Sequence, residues 1–204
     1  MNHGTREDVL ARLAEAIELL NVAHPTRVVV DGAPAAGRTT LADELAVLLR
    51  AQGRAVIRAT IDEFLFPRSQ RYWRGEYSAE GCYFDTHDYN ALTRVLLDPL
   101  GPDGDRRFQD AVYDSATDTV LSPPVRTAPA DSVLIFDGVF LLRPELIDRW
   151  ELRIFVSATL EKIVDRAVIR EHRAPSRADV ERRWNERYIP AQQPRQPAWE
   201  ARTN

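Results

Sequence analysis

The chain of 204 residues has one cysteine, one methionine and, among its 27 basic residues, a single lysine, Lys162. One cysteine excludes an internal disulfide framework and any metal site built from several thiolates. Nothing around Cys82 marks it as a nucleophile, and it reads as a small, semi-buried side chain. No apolar run approaches the roughly 20 residues that span a bilayer, and the start "MNHGTREDVLARL" lacks the basic and apolar stretches of an export signal. The expectation is a cytoplasmic protein with no membrane partner. An excess of positive charge is also missing: the formal net charge is -4, which gives no electrostatic basis for binding nucleic acid. His3, His24, His87 and His172 fall at no metal-ligand spacing. The scarcity of lysine, beside abundant alanine, points to a compositional pressure on the whole gene, such as GC-rich coding.

What is present suits one well-buried domain spanning 1–204, with 44% hydrophobic and 28% charged residues. Thr5 and Asp8 form a capping-box pattern, followed by Leu10, Leu13, Ile17 and Leu20 at helical spacing, so a helix is expected within residues 1–26. The runs "RVVVD", "AVIRATI", "SVLIF" and "LRIFVS" are continuous rather than alternating and read as buried parallel strands. Helices are expected near 38–51, 86–97, 144–150 and 159–173. Strands alternating with helices predict an α/β three-layer sandwich around a parallel sheet, with ligands at the carboxyl edge. Residues 98–130, rich in Pro, Gly and Asp, interrupt this rhythm and predict a hairpin projecting from the core.

The strand "RVVVD" runs into Gly32-Ala33-Pro34-Ala35-Ala36-Gly37-Arg38-Thr39, which fits the phosphate-loop pattern G-x-x-x-x-G-K-[ST] except that arginine replaces lysine. The glycines let successive N–H groups turn toward a phosphate at a helix N-terminus. The expected cradle is Gly32, Ala33, Ala35, Ala36, Gly37, Arg38, Thr39 and Thr40, with the Thr39 hydroxyl toward Mg²⁺. Asp62 ends the second strand, where a carboxylate serves either as a base toward an attacking hydroxyl or as a helix cap. Asp137 ends the third, where it serves either as a metal ligand or as part of an Asp-Gly turn. Arg166, Arg170, Arg173 and Arg177 share one face of a continuous helix, suited to phosphate oxygens or to a solvated ion-paired surface. Pro175 interrupts that helix and suggests a lid over 166–190.

In order, "DGAPAAGRTTLADELA", "IDEFLFPRSQRYWRGEYSAEGCYFDTHDYNAL", "VYD", "VLIFDGVFLLRPEL", "LRIFVSATLEKIVDRAVIRE" and "RYIPAQQ" resemble the uridine kinase-like branch of the P-loop kinases, related to phosphoribulokinases and pantothenate kinases. The resemblance covers about 27–193. It implies ATP and Mg²⁺ as cofactors and transfer of the γ-phosphate to a small-molecule hydroxyl, in uridine kinases the nucleoside 5'-hydroxyl. It places Asp62 as base, Thr39 and Asp137 as metal ligands, and Arg38, Arg166 and Arg170 among the catalytic cations. Asp85 or Asp88 matches the ribose-binding carboxylate, and Tyr113 an aromatic against the base. Asp118 stands where uridine kinases have a base-reading histidine. The chain ends in "QPAWEARTN" where family members continue into a last strand, so an edge strand is expected to be missing. A nucleotide binder without transfer, a kinase for another small alcohol and association of two copies all stay open. A GTPase is disfavoured, because no N-K-x-D motif is present.

Overall fold

The computed structural model describes residues 5–170 and 176–192. Helix α1 (Arg6–Glu18) starts at the expected capping box: the Asp8 N–H donates to the Thr5 hydroxyl and the Thr5 N–H to the Asp8 carboxylate. These two bonds hold the Asp8 carboxyl below its usual pKa. Strand β1 (Thr26–Gly32) leads through the glycine loop into α2 (Arg38–Ala51), and β2 (Val56–Thr60) follows. Three short helices come next, α3 (Arg68–Arg71), α4 (Ala79–Phe84) and α5 (Tyr89–Leu92). The two-residue strands β3 (Arg107–Phe108), β4 (Tyr113–Asp114), β5 (Thr119–Val120) and β6 (Arg126–Thr127) precede β7 (Val133–Gly138) and β8 (Leu152–Val156). Helices α6 (Leu160–Arg170), α7 (Arg177–Arg183) and α8 (Ile189–Ala191) complete the described chain.

The four apolar runs form one parallel sheet in the order β2-β7-β1-β8. Alternate residues face opposite layers, as strand geometry requires. Val28, Val30, Val133 and Ile135 pack with Ile17 of α1 and Leu45 and Leu49 of α2. Val29, Leu134 and Phe136 face the other layer, with Phe64, Leu96 and Trp150. A sheet covered on both faces explains why its strands read as continuous apolar runs.

Two expectations are corrected. The predicted helix at 144–150 is only a turn at Ile147–Arg149, where the chain reverses to stack Trp150 on Phe136 at 5.6 Å. The helix expected from 86 begins at Tyr89, because Asp88 accepts the Ala91 N–H at 2.8 Å as a cap, and His87 pairs with Leu65 in an isolated bridge. The excursion does form nested antiparallel pairs, β4 with β5 and β3 with β6. It is anchored where Phe108, Tyr113 and Ala128 are buried and the Val112 N–H donates to the Glu63 carbonyl, while both residues of β5 and of β6 are exposed.

Candidate functional site

The parallel register decides where the polar ends of the strands meet. Asp137 on β7 lies between Val30 of β1 and Thr60 of β2, so the glycine loop and the segment beginning at Ile61 emerge at one edge. In the loop, a Cβ on Gly32 would stand 2.5 Å from the Val156 carbonyl oxygen of β8, so only glycine lets the two strands pair there. Gly37 caps α2 at φ 102° and Ala35 adopts φ 59°, a left-handed geometry that turns the loop back on itself. Loop residues Ala35 to Thr40 line a cleft of about 630 Å³ together with Arg166.

Behind the loop, Asp137 is fully buried. The Thr39 hydroxyl donates to its Oδ2 at 2.7 Å, and Arg58 Nη2 donates to its Oδ1 at 2.6 Å. Arg38 Nε lies 3.6 Å from Oδ2, and Arg38 Nη1 donates to the Gly32 carbonyl at 3.2 Å. Among the described residues no cluster of three histidine, cysteine or acidic side chains offers a cage for a metal. A hydroxyl and a carboxylate 2.7 Å apart at a phosphate loop instead suit Mg²⁺, which typically takes one or two protein oxygens and completes its shell with phosphate oxygens and water.

Asp62 sits two residues beyond the end of β2, in a single turn, Ile61–Glu63, capped by the Thr60 hydroxyl. The cap is therefore Thr60 rather than Asp62. Asp62 lines a second cavity of about 390 Å³, shared with Arg38, Arg71, His87, Tyr188 and Arg187. Its neighbour Glu63 has a pKa raised by burial and by Asp62, Asp114 and Asp110.

No protein-family model and no curated protein matches the chain. Solved structures do. A possible uridine kinase from Bacillus stearothermophilus aligns over 91% of this chain and 88% of its own, with TM-score 0.70 and 23% identity. A candidate fructose transport system kinase from Silicibacter aligns over 90% and 91%, with TM-score 0.73 and 24% identity. D-glycerate 3-kinase from Cryptococcus neoformans aligns over 92% and 88%, with TM-score 0.64 and 16% identity. The chain shares the α/β fold of these three structures.

Within this fold, the residues singled out in the sequence divide into three groups. Thr39, Asp137, Arg38 and the loop meet at one point, with Asp62 lining the adjoining cavity. Arg166 joins them, since its Nη1 donates to the Ala36 carbonyl at 3.1 Å. Arg177 does not, being exposed and paired with Glu181 at 2.7 Å. Arg170 ends α6, but its side chain is outside the described part, as are all of Arg173 and Pro175, and the terminal segment 193–204, where the last strand of family members was expected to be missing.

The third group is engaged elsewhere. Asp85 accepts from Trp73 Nε1 at 2.9 Å and from Arg74 Nε at 2.6 Å, and Asp88 is the cap of α5. Tyr113 is buried and donates its hydroxyl to Asp118, which also accepts from the Arg68 N–H at 3.0 Å and Arg71 Nη2 at 3.3 Å. Those bonds hold the Asp118 carboxyl below its ordinary range, the Tyr113 hydroxyl contributing most. Neither Asp85, Asp88, Tyr113 nor Asp118 lines the cavity of Asp62. Asp31 is a clasp: its carboxylate accepts the Gly32 N–H at 2.6 Å and the Leu142 N–H at 2.9 Å, and burial raises its pKa.

Sequence reasoning missed Arg58, His87 and Arg187. Arg58 carried a signal, because a charged residue inside an otherwise apolar buried strand needs a counter-ion. His87 had been considered only as a metal ligand. It is buried beside the cavity, with Nδ1 3.3 Å from the Tyr89 hydroxyl. Burial first, then the Arg38, Arg143, Arg71 and Arg187 guanidinium groups, push its pKa down to about 3, so the ring is neutral at pH 7.

Proposed function

We propose that the chain is an ATP- and Mg²⁺-dependent kinase that transfers the γ-phosphate to a hydroxyl of a small molecule held in the Asp62 cavity. The observation that carries this reading is the juxtaposition of the Thr39–Asp137 pair, behind a glycine loop, with a cavity that contains a carboxylate and adjoins the same loop through Ala35 and Arg38. Mg²⁺ held by Thr39 and Asp137 would neutralise charge on the phosphates. Asp62 accepts the proton of the attacking hydroxyl, a bond forms from that oxygen to the γ-phosphorus, and the bond to the β-phosphate oxygen breaks to release ADP. Arg166, docked on the loop, and Arg38 place positive charge beside the transferring group.

A nucleoside is one member of the acceptor class. The carboxylates that the resemblance assigns to ribose, Asp85 and Asp88, are committed to Trp73, Arg74 and the start of α5, so the geometry favours the broader reading of a small alcohol. One observation supports a second reading, nucleotide binding without transfer: the Arg38 guanidinium is turned back onto the Gly32 carbonyl and toward Asp137. A phosphoryl-transfer assay with ATP and Mg²⁺ over a panel of nucleosides, sugars and hydroxy acids separates the two. Turnover that disappears in Asp62→Asn supports the kinase. Saturable ATP binding with no product from any alcohol supports the binder.

A further inference from the structure

The cavity of Asp62 has an unusual charge balance. Three guanidinium groups line it, those of Arg38, Arg71 and Arg187, against Asp62 as the one carboxylate among the described lining residues. Arg38 is offset by Asp137, and Arg71 touches Asp118 at 3.3 Å while its buried Nε has no hydrogen-bond partner.

Arg187 is the telling member. It is 3% exposed, on the turn Trp184–Tyr188. Its Nη1 donates only to backbone carbonyls, Glu76 at 3.1 Å and Ser78 at 3.2 Å, and its guanidinium lies 4.8 Å from the Tyr72 ring centre. Among the described residues no carboxylate comes within ion-pair distance of it. Burying a cation without an anion costs several kcal/mol, and carbonyl dipoles and a ring face offset only part of this. Arg187 is thus held in place by its Nη1 contacts and lines a cavity in which a ligand can supply the missing charge. The buried His87 beside it is neutral at pH 7 and does not compete as a cation.

Resting on the kinase reading above, we propose that the acceptor alcohol carries an anionic group, a carboxylate or a phosphate, seated on Arg187 and Arg71, with its hydroxyl toward Asp62. Guanidinium forks match both anions through paired N–H donors.

The test uses the full chain, first measuring binding of a non-hydrolysable ATP analogue with Mg²⁺, which judges the nucleotide site by itself. Calorimetry on the analogue-saturated protein, or on the free protein if the analogue does not bind, then compares D-glycerate with glycerol, ribose 5-phosphate with ribose, and inorganic phosphate with uridine. The first pair probes a carboxylate and the second a phosphate. The expected result is binding of at least one anion and none of its neutral counterpart, with affinity lowered at least about tenfold in Arg187→Gln and the analogue's affinity unchanged. Arg71→Gln should lower it in the same direction, and decides the matter should Arg187→Gln not fold. Absence of anion binding, equal binding of the neutral compounds, or anion binding indifferent to the arginine substitutions would overturn the proposal. A chain that binds the anions through Arg187 but not the ATP analogue would overturn the kinase reading alone.

Discussion

Arg58 Nη2 and the Thr39 hydroxyl hold the two oxygens of one buried carboxylate, Asp137, from opposite sides, at 2.6 and 2.7 Å. The carboxylate proposed to hold Mg²⁺ is therefore also the counter-ion of a strand arginine. Replacing it disturbs folding as well as chemistry.

Asp137→Ala takes one of the two carboxylate partners of the Arg58 guanidinium, whose side chain is 17% exposed, and leaves it Asp43 at 2.8 Å with the backbone carbonyls of Ala59 and Ile135. Breaking a buried pair from one side costs about 3–5 kcal/mol, and the surviving Asp43 contact places this case near the lower figure. Urea unfolding of the two proteins should show that loss, with Mg²⁺-dependent nucleotide affinity reduced in the same variant.

Asp62→Asn keeps the shape of the side chain and removes its ability to take a proton. Turnover should fall by about 10²–10⁴-fold, the usual contribution of a positioned base. Affinity for the ATP analogue should stay as it was, because Asp62 lines the cavity and not the loop cleft. Equal turnover in the variant would remove Asp62 from the mechanism.

Gly32→Ala pushes a methyl group to 2.5 Å from the Val156 carbonyl, a backbone atom that cannot rotate away. Overpacking of this kind costs roughly 1–3 kcal/mol. A lowered melting temperature accompanied by weaker nucleotide binding would match a displacement of β1 from β8. An unaffected protein would show that the edge yields freely.

His87 should make stability fall in acid. Its folded pKa of about 3 lies below the ordinary 6.5, so the folded chain binds fewer protons than the unfolded one. The associated stability is complete above pH 6.5 and declines as pH falls toward 3, by roughly 1.4 kcal/mol per pH unit. His87→Gln removes the titrating group, so its stability curve between pH 7 and 4 should be flatter than that of the parent. Parallel curves would contradict this assignment.

The strand-loop-helix geometry of the glycine loop was legible because its signals are local: an aliphatic strand, two spaced glycines and a helical pattern lie close together in the chain. Asp62 and Asp137 were legible for a topological reason, since parallel strands deliver all their carboxyl ends to one edge. The cavity was not. Arg71, His87 and Arg187 come from a short helix, the start of another and a turn far along the chain, and nothing in their immediate neighbours says that they meet. Local pattern also misled at 144–150, where the expected helix gave way to the packing of Trp150.

Thr60 and Asp137 stand opposite each other in register on neighbouring strands, with Asp62 two residues further on. The proposed metal ligand and the proposed base thus stand on one strand and on the turn that directly follows its neighbour, and their separation follows from the spacing of the sheet. Arg187, Tyr188 and Gln192 reach the cavity from the helical side. On the proposed reading, exchanging these residues should alter acceptor preference while the Thr39–Asp137 pair and Asp62, which rest on other elements, stay in place.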